Sequence, residues 1–390
     1  MGETGGGTRD GRPPLTRWWP LLGLGLVGVI VVAVVLHPRT PLSIPVPKVV
    51  PTTRSSPQTR GPVGATSVPL VTRAAGPAPV VVDLHHSVLG VTAGWELFAR
   101  SDDSVIRIEA ARGRVTRTGV PSLASSGPVS FLAGPEGVIV RPLDYVPGYE
   151  VPDGAPARAL PGVLAVGGPA LPGPDRDHLW TQARRGSGAL TLTDWAGHPS
   201  AVTAAAPADS SVVSAASDGA GQILFFSGER GVFLGGTSRT RLLTGGTLDA
   251  INARTMVVTK CDPDVSCVTS VVDRMTSRRK ALAHAVASSM GAGLVSPDNR
   301  RAVMVTPGAD TSSSMELTLL DLGDGTRTTL PRSLGIPDAT RMVFSPDGRW
   351  LFIATDEGRI AAVDPLTGRI TDLGIALPAV RQLAVRPGRA

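Results

Sequence analysis

From Val80 onward the chain is a succession of short apolar runs separated by polar breaks. The clearest passage is FSPDGRWLFIATDEGRIAAVDPLTGRITDL, residues 344–373, whose runs are too short for helices and rich in β-formers. TDEG and PLTGR break them with glycine, which tolerates the positive φ of tight turns, and proline, which cannot continue a ladder. This pattern predicts consecutive antiparallel hairpins, with four strands in roughly 40 residues. A unit of that size cannot bury its own faces, so copies must stack side by side.

An acid that ends one run and opens a turn marks the copies. It is Asp364 in AAVDPLTGRI, Asp321 in LTLLDLGDG, Asp273 in TSVVDRMTS, Asp194 in LTLTDWAGH and Glu109 in VIRIEAARG. Gly235 and Pro152 hold the same place without the acid. The steps between markers are 43, 42, 41, 38, 48 and 43 residues, and Trp95, Trp180 and Trp350 each stand 14 residues ahead of a marker. These tryptophans are expected as apolar wedges between copies, with ligand stacking as the alternative. Seven markers predict an all-β fold, a β-propeller of seven blades, with six or eight as the alternatives. Two segments compete for the strand that completes the first blade: LAVRPGR near the C-terminus and VVDLHHSVLGV after Pro79. Splicing a strand from the C-terminus would remove the free edges that invite aggregation.

The turns SPDNR (residues 296–300) and SPDGR (residues 345–349) resemble the Ser-Pro-Asp-Gly turns of TolB-like and other WD-related propeller repeats. VDPLTGRI is similar to the repeat of quinoprotein-type and YVTN-type propellers. The resemblance spans roughly residues 80–390 and is clearest after Gly291; the Gly-His and Trp-Asp signatures of true WD repeats are missing. It implies an architecture, and a fold of this kind hosts many functions.

Ahead of the repeats, residues 18–37 (WWPLLGLGLVGVIVVAVVLH) carry no charge. About 20 residues at a helical rise of about 1.5 Å span a bilayer core of about 30 Å. Trp18 and Trp19 suit its interface. GLGLVG matches the dinucleotide fingerprint, but no strand precedes it and no acid follows before Asp83, so that reading fails on context. The run is too long for a cleaved signal peptide and no small-x-small site follows it. It is expected to be an uncleaved transmembrane signal anchor, preceded by a short tail, residues 1–17. Residues 38–79 are rich in proline and free of acids, the composition of an extended polyproline-type linker.

The cysteines orient this layout. Cys261 and Cys267 are the only two, and they flank a proline-containing turn between TMVVT and VTSVV. Two thiols with no histidine nearby are too few for a metal site, and facing hairpin positions suit a disulfide. A disulfide belongs to an oxidising compartment. The expectation is therefore a single-pass protein of the cell membrane, with a cytoplasmic N-terminus and an extracytoplasmic propeller, residues 80–390.

The net charge of +6 changes the partner question. Arg39, Lys48, Arg54, Arg60 and Arg73 place +5 on the linker and the tail holds +1, which leaves the propeller neutral. Nucleic acid is a poor partner for a basic tether without interleaved aromatics. Anionic headgroups or acidic wall polymers are within the linker's reach, and a solvated linker with no partner is the alternative. Lys48, Lys260 and Lys280 are the only lysines, a composition that resembles high-GC actinobacterial proteins.

No catalytic, cofactor-binding or metal-ligating set emerges. His85 and His86 are adjacent, and on a strand adjacent side chains point apart. His178 and His198 have no visible partner. Asp102–Asp103 and Asp262–Asp264 read as turn residues, too few for the six to eight oxygens that calcium takes. The repeated marker acids read as turn caps bonding backbone N–H groups two residues on. The function expected is a non-catalytic module that binds a protein or envelope component on a propeller face. The alternative is a propeller enzyme of lactonase or sugar-processing type, with a site at the central channel.

Overall fold

The computed structural model of the protein describes residues 77–388, apart from 124–127, 145, 183–188, 206–213, 219–221, 228–230, 236–239, 263–265, 285, 287, 289–290 and 309–313. The expected tail, the anchor at residues 18–37 and the linker up to residue 76 lie outside the described residues. Among the described residues no helix is long and apolar enough to cross a membrane, and the regular elements are β-strands and short 3-10 turns.

Residues 342–372 build one unit. Met342–Phe344, Leu351–Ala354, Ile360–Val363 and Ile370–Asp372 pair in that order, each antiparallel to the next. Its SPDGR turn is held from inside: Ser345 Oγ donates to Asp347 Oδ1 (2.5 Å) and accepts from the Trp350 N–H (3.0 Å). Gly348 supplies φ +70°, which an L side chain would resist. SPDNR repeats the device with Ser296, Asp298 and Arg301, and Asn299 takes the positive φ.

Similar four-stranded antiparallel sheets occupy residues 129–159, 170–205 and 214–244. A five-stranded sheet holds Glu96–Arg100, Ser104–Glu109 and Arg114–Gly119 with one further strand at each edge. Together with the last sheet, these make, among the described residues, five separate sheets rather than the seven separate blades that the marker ladder predicts. The remaining strands, Thr247–Ile251 through Arg327–Thr329, form one eight-stranded sheet. The merger has a local cause. The innermost strands Thr247–Ile251 and Gly293–Val295 run parallel and close enough for Ala250 to pair with Gly293 and Ile251 with Leu294.

Both candidates for the closing strand belong to the five-stranded sheet, at opposite edges. Gln382–Arg386 pairs with Glu96–Arg100 on the inner side, and Val80–Asp83 pairs with Arg114–Gly119 on the outer side. Burial separates them. The C-terminal strand is largely buried, whereas Val80, Val81 and Val82 are all exposed. The C-terminal strand therefore closes the ring, and Val80–Asp83 covers the perimeter of its first sheet.

Apolar clusters fill the gaps between neighbouring units. Trp95 meets Phe352 at 5.6 Å between centroids, joining the first sheet to the last. Trp180 packs with Ile223 and Phe225 of the following sheet. Both tryptophans are wedges, as their phase in the repeat predicts. Near the axis, side chains link the innermost strands. Gln382 Nε2 donates to the Val129 carbonyl (2.6 Å), the Ala170 N–H donates to Ser130 Oγ (3.0 Å), and Ser217 Oγ donates to the Pro172 carbonyl (2.5 Å).

Candidate functional site

In an antiparallel unit the first–second and third–fourth turns open on the same side. Contacts between these turns run around the ring and define one marker-bearing face. Arg274 bonds Gln222 Oε1 (2.6 Å), Asn252 bonds Asn299 Oδ1 (2.9 Å), and Arg301 reaches the Pro365 carbonyl (3.2 Å). Trp95 Nε1 then donates to Asp347 Oδ2 (3.3 Å), and Arg386 to the Gly134 carbonyl (2.9 Å).

The marker acids hold their own turns on this face. Asp273 Oδ1 accepts from the N–H groups of Met275 and Thr276, at 3.0 and 2.9 Å. Asp321 Oδ1 accepts from Gly323 and Asp324, and Asp364 Oδ1 from Leu366 and Thr367. The Thr276 N–H holds the Asp273 carboxyl below the usual carboxylate range. At Asp364 burial pushes the other way, and the turn N–H groups outweigh it. Unlike Glu109, which pairs with arginines, these three turns thus spend a carboxylate oxygen on their own backbone and leave the residue two positions on free to vary. That residue is Met275, Gly323 or Leu366. Met275 is 81% exposed and Leu366 63%.

The face is not uniform. Around the first two sheets its charges are folded inward. Arg386, 5% exposed, bonds Glu96 and Asp153 and stacks 5.0 Å above the Phe98 ring. Arg107 shares Glu96 with it and lies 3.7 Å from Asp153 and from Glu109. The cavity beside them, lined by Phe98, Arg107, Thr116 and Asp153 among others, measures about 10 Å³. That is room for about one water, not for a substrate. A shallow depression of about 580 Å³ opens elsewhere, between Ala283–His284 and the turn residues Asp324, Gly325, Thr326 and Arg327.

Buried polar groups away from this face serve the frame. The fully buried Arg141 donates to the carbonyls of Val166 (2.7 Å), Pro169 (2.9 Å) and Gln182 (3.2 Å), tying the second sheet to the third. Asp249 is one exception among the described residues, beside the unbonded ring nitrogens of Trp180 and Trp195. It sits at a bulge in an innermost strand, at 0% exposure, where the pairing shifts between Leu248 and Ala250. Its Oδ1 accepts the Ser288 N–H (2.8 Å), and among the described residues its Oδ2 has no hydrogen-bond partner. Burial pushes this carboxyl up to about 7.

The residues singled out in the sequence fall as follows. Cys261 and Cys267 are directly opposed at the ends of two paired strands and form a disulfide, with Cα atoms 3.9 Å apart. His85 and His86 lie in the turn after Val80–Asp83 and not on a strand, His85 at φ +59° and His86 Nδ1 bonded to the Leu84 carbonyl. His178 and His198 each gain a carboxylate from their own turn, Asp175 (2.8 Å) and Asp194 (3.0 Å). Asp103 binds the Ser101 and Ser104 hydroxyls, and Asp102 pairs with Arg381. Among the described residues no three His, Cys, Asp or Glu side chains converge as metal ligands would.

The sequence reading missed three features. Asp153 is the second sheet's marker acid, one residue beyond the assigned Pro152, and shifting VPDGAPA by one position against VDPLTG would have found it. The buried Thr pairs 181–193, 259–269 and 306–318, with hydroxyls 2.6 to 2.8 Å apart, form a second repeat signal. Asp249 stands out only as a lone acid in an apolar run.

No protein-family model matches the chain, and neither does any curated protein sequence. Solved structures do. A crystal structure of a putative 6-phosphogluconolactonase from Bacteroides fragilis is similar over 75% of this chain and 97% of its own, at 12% identity and TM-score 0.43. TolB from Acinetobacter baumannii is similar over 76% of this chain and 83% of its own, at 15% identity and TM-score 0.41. Likenesses this distant carry no functional argument; the β-propeller arrangement rests on the sheets themselves.

Proposed function

We propose that the protein is a membrane-tethered, extracytoplasmic β-propeller of seven blades that binds a protein or envelope component on its marker-bearing face. The eight-stranded sheet counts as two blades in this reading. Among the described residues, seven apolar clusters, one at each interface between neighbouring four-strand units, support that count. Residues 1–17 are the cytoplasmic tail, 18–37 the anchor, 38–79 the linker and 80–390 the ring. The Cys261–Cys267 disulfide supports the oxidising side of the membrane for the ring.

The observation that carries the binding role is the use of the marker acids. Because Asp273, Asp321 and Asp364 each fix their own turn, the repeat is a scaffold that presents a different side chain at each copy. Rigid scaffolds bearing variable loops are suited to recognition. The test is photo-cross-linking in the native membrane, with a benzophenone amino acid placed in the full-length chain at turns of each face in turn. Saturable adducts restricted to marker-face positions are expected. A pattern indifferent to face, or no adduct above that of a tethered unrelated domain, would overturn the proposal.

A further inference from the structure

The propeller's neutral net charge conceals a segregated surface. On the marker face, the turns and adjoining strand ends of the eight-stranded and last sheets (residues 252–254, 273–280, 296–301, 321–327, 345–349 and 364–369) hold ten Lys and Arg against six Asp, with Arg274 paired to the buried Asp218 and Arg301 to Asp321. The two signs are bonded differently. Asp298 and Asp347 are drawn into their turns by a serine hydroxyl and a backbone N–H, just as Asp364 is by its turn N–H groups. An arginine stands at the end of each inner turn, and Arg254 in NAR, Arg300 in DNR and Arg349 in DGR are exposed, as Asp298 and Asp347 also are.

Contacts make these turns one continuous surface. Asn252 bonds both the Ser296 carbonyl and Asn299, which brings the turn of Arg254 against that of Arg300. Gly348 lies against Pro297 and Asp298, which brings up Arg349. The Arg274 N–H donates to the Arg254 carbonyl (2.8 Å), placing Met275 beside the first arginine. Arg301 reaches Pro365, next to Leu366. Arginines in a row, flanked by a flexible thioether and an exposed leucine, have the composition of an interface core.

We infer that this sector, centred on Arg254, Arg300 and Arg349, docks an acidic protein segment that also carries apolar side chains. This rests on the binding role proposed above and assigns it a sector and a partner chemistry. Charge complementarity sets the sign of the partner. Met275 and Leu366 select a polypeptide, since a purely anionic polymer has nothing to lay against them. The depression bounded by Asp324 and Arg327 adjoins the sector and offers room for one of the partner's side chains.

The test is fluorescence anisotropy with the full-length protein in detergent and a labelled peptide alternating Glu and Leu. Saturable, salt-sensitive binding is expected. The combined substitution Arg254→Glu, Arg300→Glu, Arg349→Glu should weaken it at least about tenfold, and Arg359→Glu, in a turn of the opposite face, should leave it unchanged. Met275→Ala with Leu366→Ala should weaken the Glu/Leu peptide and leave a Glu/Ser peptide unaffected. Urea unfolding of each variant confirms that the ring is intact, and the triple alanine variant serves if charge reversal perturbs it. The inference is overturned if the triple variants bind like the parent, or if the Glu/Ser peptide or vesicles of anionic phospholipid bind as well as the Glu/Leu peptide. If cellular cross-links at other marker-face positions persist in the triple variant, the binding role stands and this sector is wrong.

Discussion

On the marker face, the rim over the first two sheets and the rim over the eight-stranded and last sheets use the same residue types for opposite ends. Over the first two sheets Arg386 and Arg107 are surrounded by Glu96, Glu109 and Asp153, and Arg386 is nearly sealed. There the ring closes on its C-terminal strand, whose inner-side pairing needs an anchor across to the next sheet. Over the other sheets Arg254 and Arg300 face solvent, with only long contacts to Asp273 (3.4 Å) and Asp298 (4.0 Å). The difference shows that an arginine's role is set by what surrounds the turn. Where chain ends must be joined, charge is buried as a clasp. Over the eight-stranded sheet, where the backbone continues between units at the Ala250–Gly293 pairing, both uses occur: Arg274 pairs with the buried Asp218 and Arg301 with Asp321, while Arg254 and Arg300 are left for display.

The comparison breaks most visibly at the clasp. Arg386→Ala leaves Glu96 and Asp153 short of a partner in a buried site, which should cost about 3–5 kcal/mol in urea unfolding. A loss below about 1 kcal/mol would mean that Arg107 alone satisfies both acids.

Asp249 sharpens the account on the eight-stranded side. Its folded pKa of about 7 lies above the value for an unfolded aspartate, so between those two values the folded state binds more protons. Stability should therefore be full below the unfolded pKa and fall as pH rises through about 7. The limiting effect is on the order of 4 kcal/mol. Asp249→Asn keeps an acceptor for the Ser288 N–H and cannot ionise. It should match the parent near pH 4 and exceed it at pH 8, in melting curves taken across that range. Asp102 and Asp103 act in the opposite sense, since bonds from Arg381 and from the Ser101 and Ser104 hydroxyls hold them low. Their contribution is lost only at acid pH.

Smaller effects follow. Cys261→Ser with Cys267→Ser opens a short loop and should lower stability by about 2 kcal/mol on the chain-entropy model. Reduction of the parent should reproduce the shift. Arg300→Ala, at the exposed counterpart of the clasp, should change stability by less than about 0.5 kcal/mol. If it costs as much as Arg386→Ala, the contrast between the two rims is false.

Much of the architecture was legible because it is local. Strand lengths, turn chemistry and the phase of Trp95 and Trp180 follow from short windows and a period. What eluded the sequence is non-local. LAVRPGR and VVDLHHSVLGV look alike as strands, and only pairing partners far away in sequence send one to the inner edge and the other to the perimeter. The merging of two units into eight strands depends on how closely two inner strands approach, which no window records. Arg386 ends a strand and Arg300 sits in a turn, and only the neighbours across the sheet interface make the first buried and the second exposed. The disulfide was legible because both cysteines flank one turn.

The proposed display of the ring beyond the membrane is tested by the chain's only two cysteines. Intact cells would be treated with a membrane-impermeant phosphine reductant and then with an impermeant maleimide–polyethylene glycol, and the protein's mobility read by immunoblot. The account predicts a shift by two labels that requires prior reduction and needs no permeabilisation. Labelling only after the cells are opened, or labelling without reduction, would contradict it.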